Sequence, residues 1–214
     1  TRPIRTSFLN VARILVTAGP TYERIDAVRF IGNRSSGKMG YAIAAELVSR
    51  GHEVTLISGP SSLPIPKNLR FHRVESAQEM YDSVMQLWPN VDGAIKAAAV
   101  ADYTPKIVAN HKIKKQEAKL TIELIPTMDV LAAMGQEKRE DQWLVGFALE
   151  TDNALSYAKD KLKRKNLDYI VLNSLADAGA GFNVDTNKIT VIDRDQNVTT
   201  CLLYTSDAAD DSQC

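Results

Sequence analysis

Along the chain, short apolar runs rich in β-branched residues alternate with stretches whose apolar positions recur at helical spacing. Arg13 to Thr17 (RILVT) predicts a buried strand, ended by Ala18-Gly19-Pro20. From Gly37 to Arg50, Met39, Ala42, Ile43, Ala45, Leu47 and Val48 share one face, which predicts a helix stopped at Gly51. Glu53 to Ser58 (EVTLIS) and Leu69 to Val74 predict the next strands, and Ala77 to Trp88 a helix capped by Ser76. Asp92 to Val100 reads as a very apolar strand interrupted by Lys96. Leu120 to Leu124 (LTIEL) alternates as an exposed strand does, and Asp129 to Lys138 predicts a helix. Trp143 to Phe147 and Asp168 to Leu172 predict strands on either side of a helix from Ala154 to Lys165. Lys188 to Asp193 and Val198 to Tyr204 predict a hairpin across Arg194 to Asn197.

This alternation, with mostly short connections, predicts an α/β fold. We expect a doubly wound, mostly parallel, Rossmann-like sheet with helices on both faces and a small β appendage. The 214 residues suit one domain, expected over residues 1–206. Asp207 to Cys214 has little apolar content and no period, and we expect it to be a non-native or disordered tail.

Composition narrows the function. Lys plus Arg number 26 and Asp plus Glu 26, so the balanced charge argues against nucleic acid or an anionic membrane as partner. No apolar run approaches the ~20 residues of a membrane span, and Thr1 to Arg5 lacks the apolar stretch of a secretory signal. Both cysteines, Cys201 and Cys214, lie near the end of the sequence, so no disulfide framework is expected and the cytoplasm is the expected compartment. His52, His72 and His111 are scattered, which argues against a zinc site.

In open α/β sheets ligands collect at the carboxyl ends of the strands, so the chemistry is sought there. The first such loop, Thr17-Ala18-Gly19-Pro20-Thr21, is not G-x-G-x-x-G, and its proline lacks a backbone donor. About fifteen residues, Tyr22 to Ser36, then separate the first strand from its helix, longer than a usual βα connection. They run into Ser35-Ser36-Gly37-Lys38, a candidate anion site at a helix start; a capped helix with a solvated Lys38 is the alternative. Ala97-Ala98-Ala99-Val100-Ala101-Asp102 leaves a strand end with small residues that admit a flat ring, Asp102 standing where it meets ligand or merely caps a turn. Lys112 and Lys114 share a face if extended, and Lys161 and Lys165 share one on a helix. Each pair suits a polyphosphate or is only a wet basic surface.

Six segments in this order resemble phosphopantothenoylcysteine synthetase, the second enzymatic half of a bifunctional bacterial coenzyme A biosynthesis protein: VTAGPTYERIDAVRFIGNRSSGKMG, AAAVADY, KIKK, GFALET, KRKNLDYIVLN and GFNVDTN. The resemblance covers roughly Arg13 to Asp193. It implies a ligase that activates 4′-phosphopantothenate with CTP as an acyl-cytidylate, assisted by Mg²⁺, and then passes the acyl group to the amine of cysteine. Carried over residue by residue, Asn33 holds the acyl-nucleotide and Lys112 turns it over. Arg29, Ser35, Ser36 and Gly37 fall in the substrate segment. Lys96, Ala97 and Ala98 present backbone to the base, and Asp102, Phe147, Lys161 and Lys165 contact the nucleotide. A homodimer is also implied, with parts of one subunit completing the other's site, and a flavin-dependent decarboxylase half upstream in the full-length protein. Lys96 stands where an apolar or small residue is expected, and Ile125-Pro126-Thr127-Met128-Asp129 departs from the more usual Asn-Pro-Asp.

Two other readings compete. Tyr157 and Lys161 fit Y-x-x-x-K of a short-chain dehydrogenase, but the Gly-rich loop is missing and Leu144 stands where such enzymes use serine. A non-catalytic nucleotide-binding module is the second.

Overall fold

The computed structural model of the protein describes residues 11–115, 119–150, 153–174 and 186–204. In chain order it forms β1 (Arg13–Ala18), β2 (Tyr22–Arg24), β3 (Phe30–Gly32), α1 (Lys38–Ser49), β4 (Glu53–Ser58), β5 (Arg70–Arg73) and α2 (Ala77–Leu87). There follow β6 (Gly93–Lys96), β7 (Tyr103–Pro105), β8 (Leu124–Pro126), α3 (Val130–Glu137), β9 (Trp143–Glu150), α4 (Ala154–Arg164), β10 (Tyr169–Ser174), β11 (Thr186–Asp193) and β12 (Val198–Tyr204). Most of the GFNVDTN segment and the expected tail, Asp207 to Cys214, lie outside the described residues.

Eight strands form one sheet in the order β12-β11-β10-β9-β6-β1-β4-β5. Every pairing from β5 through to β10 is parallel, and β11 and β12 continue the sheet as an antiparallel hairpin. β1 takes the middle because Ile14, Leu15, Val16 and Ala18 are apolar on both faces, and all are buried. One face carries α1, packed through Tyr41 and Ala44 on Ile14, Val16, Val54 and Leu56. The other carries α2, α3 and α4, whose Met80, Val84, Met134, Ala158 and Leu162 pack on Leu15, Ile57, Ala94, Leu144 and Ile170. Trp88 is 1% exposed and ties two of these helices together by donating its indole N–H to Met134 O (3.0 Å).

The predicted helices stand within a few residues of their expected bounds, for local reasons. Ser76 Oγ accepts from Glu79 N (3.2 Å) at the start of α2, and Asp129 Oδ1 accepts from Ala132 N (2.8 Å) at the start of α3. The strand expected over Asp92 to Val100 stops sooner, at Lys96, because the chain then leaves the sheet to follow the loop after β1. The expected strand Leu120 to Leu124 shifts to β8, which pairs antiparallel with β7. The long connection between β1 and α1 holds a second small hairpin, β2 on β3, in which the Tyr22 and Phe30 rings stack 3.9 Å apart. Among the described residues no helix is long and apolar enough to cross a membrane.

Candidate functional site

Strand order reverses between β1 and β6, since β1 leads through β4 to β5 on one side and β6 leads through β9 to β10 on the other. Such a reversal opens a crevice at the carboxyl ends, and two loops line it here. Thr17 O accepts from Ala97 N (3.2 Å), Gly19 O from Ala99 N (2.9 Å), and Ala99 O from Thr21 N (3.3 Å). The buried hydroxyls of Thr17 and Thr21 accept from Ala98 N (3.2 Å) and Ala101 N (2.9 Å). The loop carrying Ala97 to Asp102 is therefore zipped to the loop after β1. A third loop crosses beneath, where a Cβ on Gly59 would lie 1.6 Å from Pro20 O.

Asn33, exposed at the end of β3, donates its side-chain amide to Ala99 O (3.0 Å) and Val100 O (3.3 Å). Both partners are pure acceptors, so the NH₂ must face them, and Oδ1 is left without a protein donor among the described residues. The expected Ser cap of α1 is not formed: the N-cap is Gly37, at φ 85°, with no side-chain cap bond. Glycine is required because a Cβ here would meet Gly19 N at 3.1 Å in a left-handed backbone. Ser35 Oγ instead accepts from Gly37 N (3.3 Å) and Ser36 Oγ from Lys38 N (3.4 Å). Asp102 is exposed, and its carbonyl accepts from Thr127 N (2.9 Å).

A second cluster forms between β6, α3 and α4. Lys165 Nζ pairs with Asp129, and Lys161 Nζ donates to Phe147 O (2.8 Å). Burial alone would raise the Asp129 carboxyl, but Lys165, the Ala132 N–H and the charge of Lys161 outweigh it and hold it below its usual value. Lys96 points into the core beside this group, with Met80 Sδ 3.8 Å from Nζ. Burial pulls its amine down to about 7, while the charge of Asp129 works weakly the other way. Thus Lys96, Phe147, Lys161 and Lys165 lie in one neighbourhood around Asp129. Tyr157 is 57% exposed, while Lys161 Nζ is engaged with Phe147 O.

Arg29 is engaged within the protein, with its side chain 41% exposed. Its guanidinium grips the carboxylate of Asp26, with Nε to Oδ2 at 3.0 Å, and donates from Nη2 to Ile113 O (3.0 Å). Lys112, next to Ile113, is exposed and makes no hydrogen bond or ion pair among the described residues. No contact joins Lys112 to Asn33 there; the three residues of β3 lie between Arg29 and Asn33, roughly 13 Å of extended chain.

Sequence reasoning missed Asp26, Thr17, Thr21 and Asp129. Only the last carried a signal, its place just ahead of a helical period. A cavity of about 490 Å³ lies beside the crevice, bounded by Tyr22, Glu23, Glu75, Glu79, Thr104 and Met128 among others, and no anticipated site residue lines it. No group of three or more His, Cys, Asp or Glu among the described residues is placed to hold a metal ion.

Known proteins share the sequence and the fold. The model of the DNA/pantothenate metabolism flavoprotein C-terminal domain family matches residues 9–209. The coenzyme A biosynthesis bifunctional protein CoaBC of Bacillus subtilis (strain 168) is 51% identical over 183 residues, 85% of this chain and 45% of its own length. A cysteine/cysteine sulfinic acid decarboxylase of an unknown prokaryotic organism is 50% identical over 191 residues, 89% of this chain and 53% of its own length. The chain thus spans about half the length of the curated relatives it matches. The crystal structure of the C-terminal domain of CoaBC superposes with a TM-score of 0.78 at 46% identity, covering 94% of this chain and 93% of that one. With nearly the whole sequence inside the family model and the sheet matching that crystal structure, the chain belongs to the DNA/pantothenate metabolism flavoprotein C-terminal domain family.

Proposed function

We propose that the chain is the phosphopantothenate–cysteine ligase part of a coenzyme A biosynthesis protein, working in the cytoplasm as a single domain. The carrying observation is the crevice at the strand-order reversal, where the Asn33 amide is fixed to Ala99 and Val100 within reach of the small-residue loop. In this reading a carboxylate oxygen of 4′-phosphopantothenate attacks the α-phosphorus of CTP and pyrophosphate leaves. The amine of cysteine then attacks the acyl carbon, forming the amide, and CMP leaves with the electron pair of the broken C–O bond.

The chain's own groups divide these tasks. Asn33 offers its free Oδ1 to an amide or ammonium N–H of the substrates, an acceptor held still by its two donor bonds. Lys112, unpaired among the described residues, supplies an ammonium to offset charge growing on the phosphate or the tetrahedral oxygen. The cluster of Lys161, Lys165 and Asp129 presents cations and a carboxylate to the nucleotide, while Ala97 and Ala98 allow the base to approach backbone. Mg²⁺ fits as a passenger of the triphosphate oxygens, with Asp102 the exposed carboxylate nearby, since the ion keeps most of its shell from phosphate and water. When bound it would screen phosphate charge.

Exposed Val28, Phe30, Tyr103, Ile107 and Leu124 on the two small hairpins give a homodimer an apolar surface to cover. A partner completing the site would also bring a Lys112 to the Asn33 that lies far along the hairpin. The whole protein would carry a decarboxylase half in addition, in keeping with relatives named bifunctional and with one named a decarboxylase.

The test is an assay of the chain with CTP, phosphopantothenate, cysteine and Mg²⁺. Pyrophosphate should appear without cysteine, and CMP only with it. CTP binding with no turnover, or turnover indifferent to cysteine, would overturn the proposal.

A further inference from the structure

Asp26 is the most heavily committed carboxylate in the described structure, although it lies in a surface loop. Its side chain is fully buried. Oδ1 accepts from Val28 N (2.8 Å) and Arg29 N (2.8 Å), closing the turn between β2 and β3. Oδ2 accepts from Arg29 Nε (3.0 Å), Arg29 Nη2 and Ile113 N (3.0 Å). Arg29 Nη2 also donates to Ile113 O (3.0 Å), so the pair holds both backbone groups of one residue, much as a neighbouring strand would. Ala109 N donates to Ile25 O (3.1 Å), a second tie between the same two loops. Arg29 and the converging N–H groups keep the carboxyl far below its usual value despite burial, so it stays an acceptor at any working pH.

The tethered residue is the one next to Lys112. The loop that bears Lys112 has no helix or strand of its own from residue 106 to 115, so its position rests on these bonds. A turn needs only the two bonds to Oδ1; those to Ile113 add nothing to the β2–β3 hairpin and act only on the lysine loop. We propose that Asp26 is a positioning residue for the second half-reaction, acting through Arg29 and the Ile113 backbone to set the Lys112 ammonium against the acyl-nucleotide. This rests on the ligase reading. Asp26 itself touches no substrate, and Arg29, placed by resemblance with the substrate segment, works through the loop.

The experiment uses the full chain and separates the half-reactions. Asp26→Asn keeps Oδ1 for the turn but sets an NH₂ against Arg29 and the Ile113 N–H. Pyrophosphate release from CTP and phosphopantothenate should stay within about threefold of wild type. Single-turnover, cysteine-dependent CMP release should fall about 10- to 100-fold, the scale expected when a group is misplaced by about 1 Å. In a Lys112→Gln background the same change should cost less than about twofold, because the two residues act as a unit. Trypsin should cut after Lys112 and Lys114 faster in Asp26→Asn than in wild type. Ile113→Pro, which removes the N–H from the loop side, should reproduce the kinetic pattern if Asp26→Asn does not fold, with faster trypsin cleavage after Lys114 alone because trypsin does not cut a lysine–proline bond. Equal losses in both half-reactions, or full additivity with Lys112→Gln, would reduce Asp26 to a structural residue and overturn the proposal. A wild-type chain that releases no CMP would sink the ligase reading instead, leaving the trypsin comparison to judge the tether.

Discussion

Replacing Lys96 by methionine is expected to stabilise the protein, and by an amount that depends on pH. The lysine is 7% exposed, Met80 Sδ at 3.8 Å is its nearest polarisable neighbour, and Asp129 is already taken by Lys165. Its amine titrates at about 7 in the fold, against 10.5 when solvated. Between those values the unfolded chain holds a proton that the folded chain has given up, so stability rises with pH there. The cost of burying the amine is full below pH 7 and gone above about 10.5. At about 1.4 kcal/mol per pH unit, the interval amounts to roughly 4–5 kcal/mol. Methionine keeps the length and packing of the stem and removes the titration. The variant should therefore exceed wild type by about 4 kcal/mol at pH 7 and by about 2 kcal/mol at pH 9. Urea unfolding at pH 7, 8 and 9, followed through Trp88 and Trp143 fluorescence, measures the gap. With a slope of about 1–3 kcal/mol per molar urea, the narrowing is on the order of 1 M in the difference between midpoints. A gap that stays constant across that range would show that Lys96 does not shed its proton on folding, and the reasoning would fail.

Three further outcomes are expected. Lys112→Gln should leave CTP affinity near wild type while lowering amide formation about 100-fold or more, measured as CMP release; unchanged turnover removes the ammonium from the chemistry. Asn33→Asp sets a carboxylate oxygen against Ala99 O and Val100 O, where an amide donates at 3.0 and 3.3 Å, and should slow CMP release at least about 10-fold. Normal catalysis by that variant would mean the carboxamide is not used as described. Gly59→Ala pushes a methyl into Pro20 O and should cost about 3 kcal/mol, a fall in melting temperature of roughly 6–12 °C by calorimetry. An unshifted melt would mean the two loops separate easily.

The parallel sheet and its helices were legible because burial imposes a repeating pattern on each element. RILVTA, EVTLIS and YIVLNS announce themselves without reference to their neighbours. The small hairpins were not legible. YER and FIG are three residues each, too short for a period, and are joined by a ring contact between Tyr22 and Phe30 that no local window reveals. Motif resemblance singled out Asn33, Lys161 and Lys165 and set Arg29 beside Asn33, whereas the fold engages the Arg29 guanidinium with Asp26 and the Asn33 amide with Ala99 and Val100. It was silent on Asp26, since five bonds converging on one carboxylate come from residues up to 87 positions away. Lys96 looked anomalous within an apolar strand, and the anomaly was physical: the amine is buried.

The strand order also governs how the protein emerges from the ribosome. β1, β4 and β5 are complete early and associate side by side, yet the flank of β1 that later receives β6 stays open until Gly93–Lys96 has been made. An apolar central strand waiting unpaired invites pairing with another nascent chain. Chaperone demand during synthesis should therefore rise in that interval and persist as the bare flank passes to β6 and then to β9, until β10 docks.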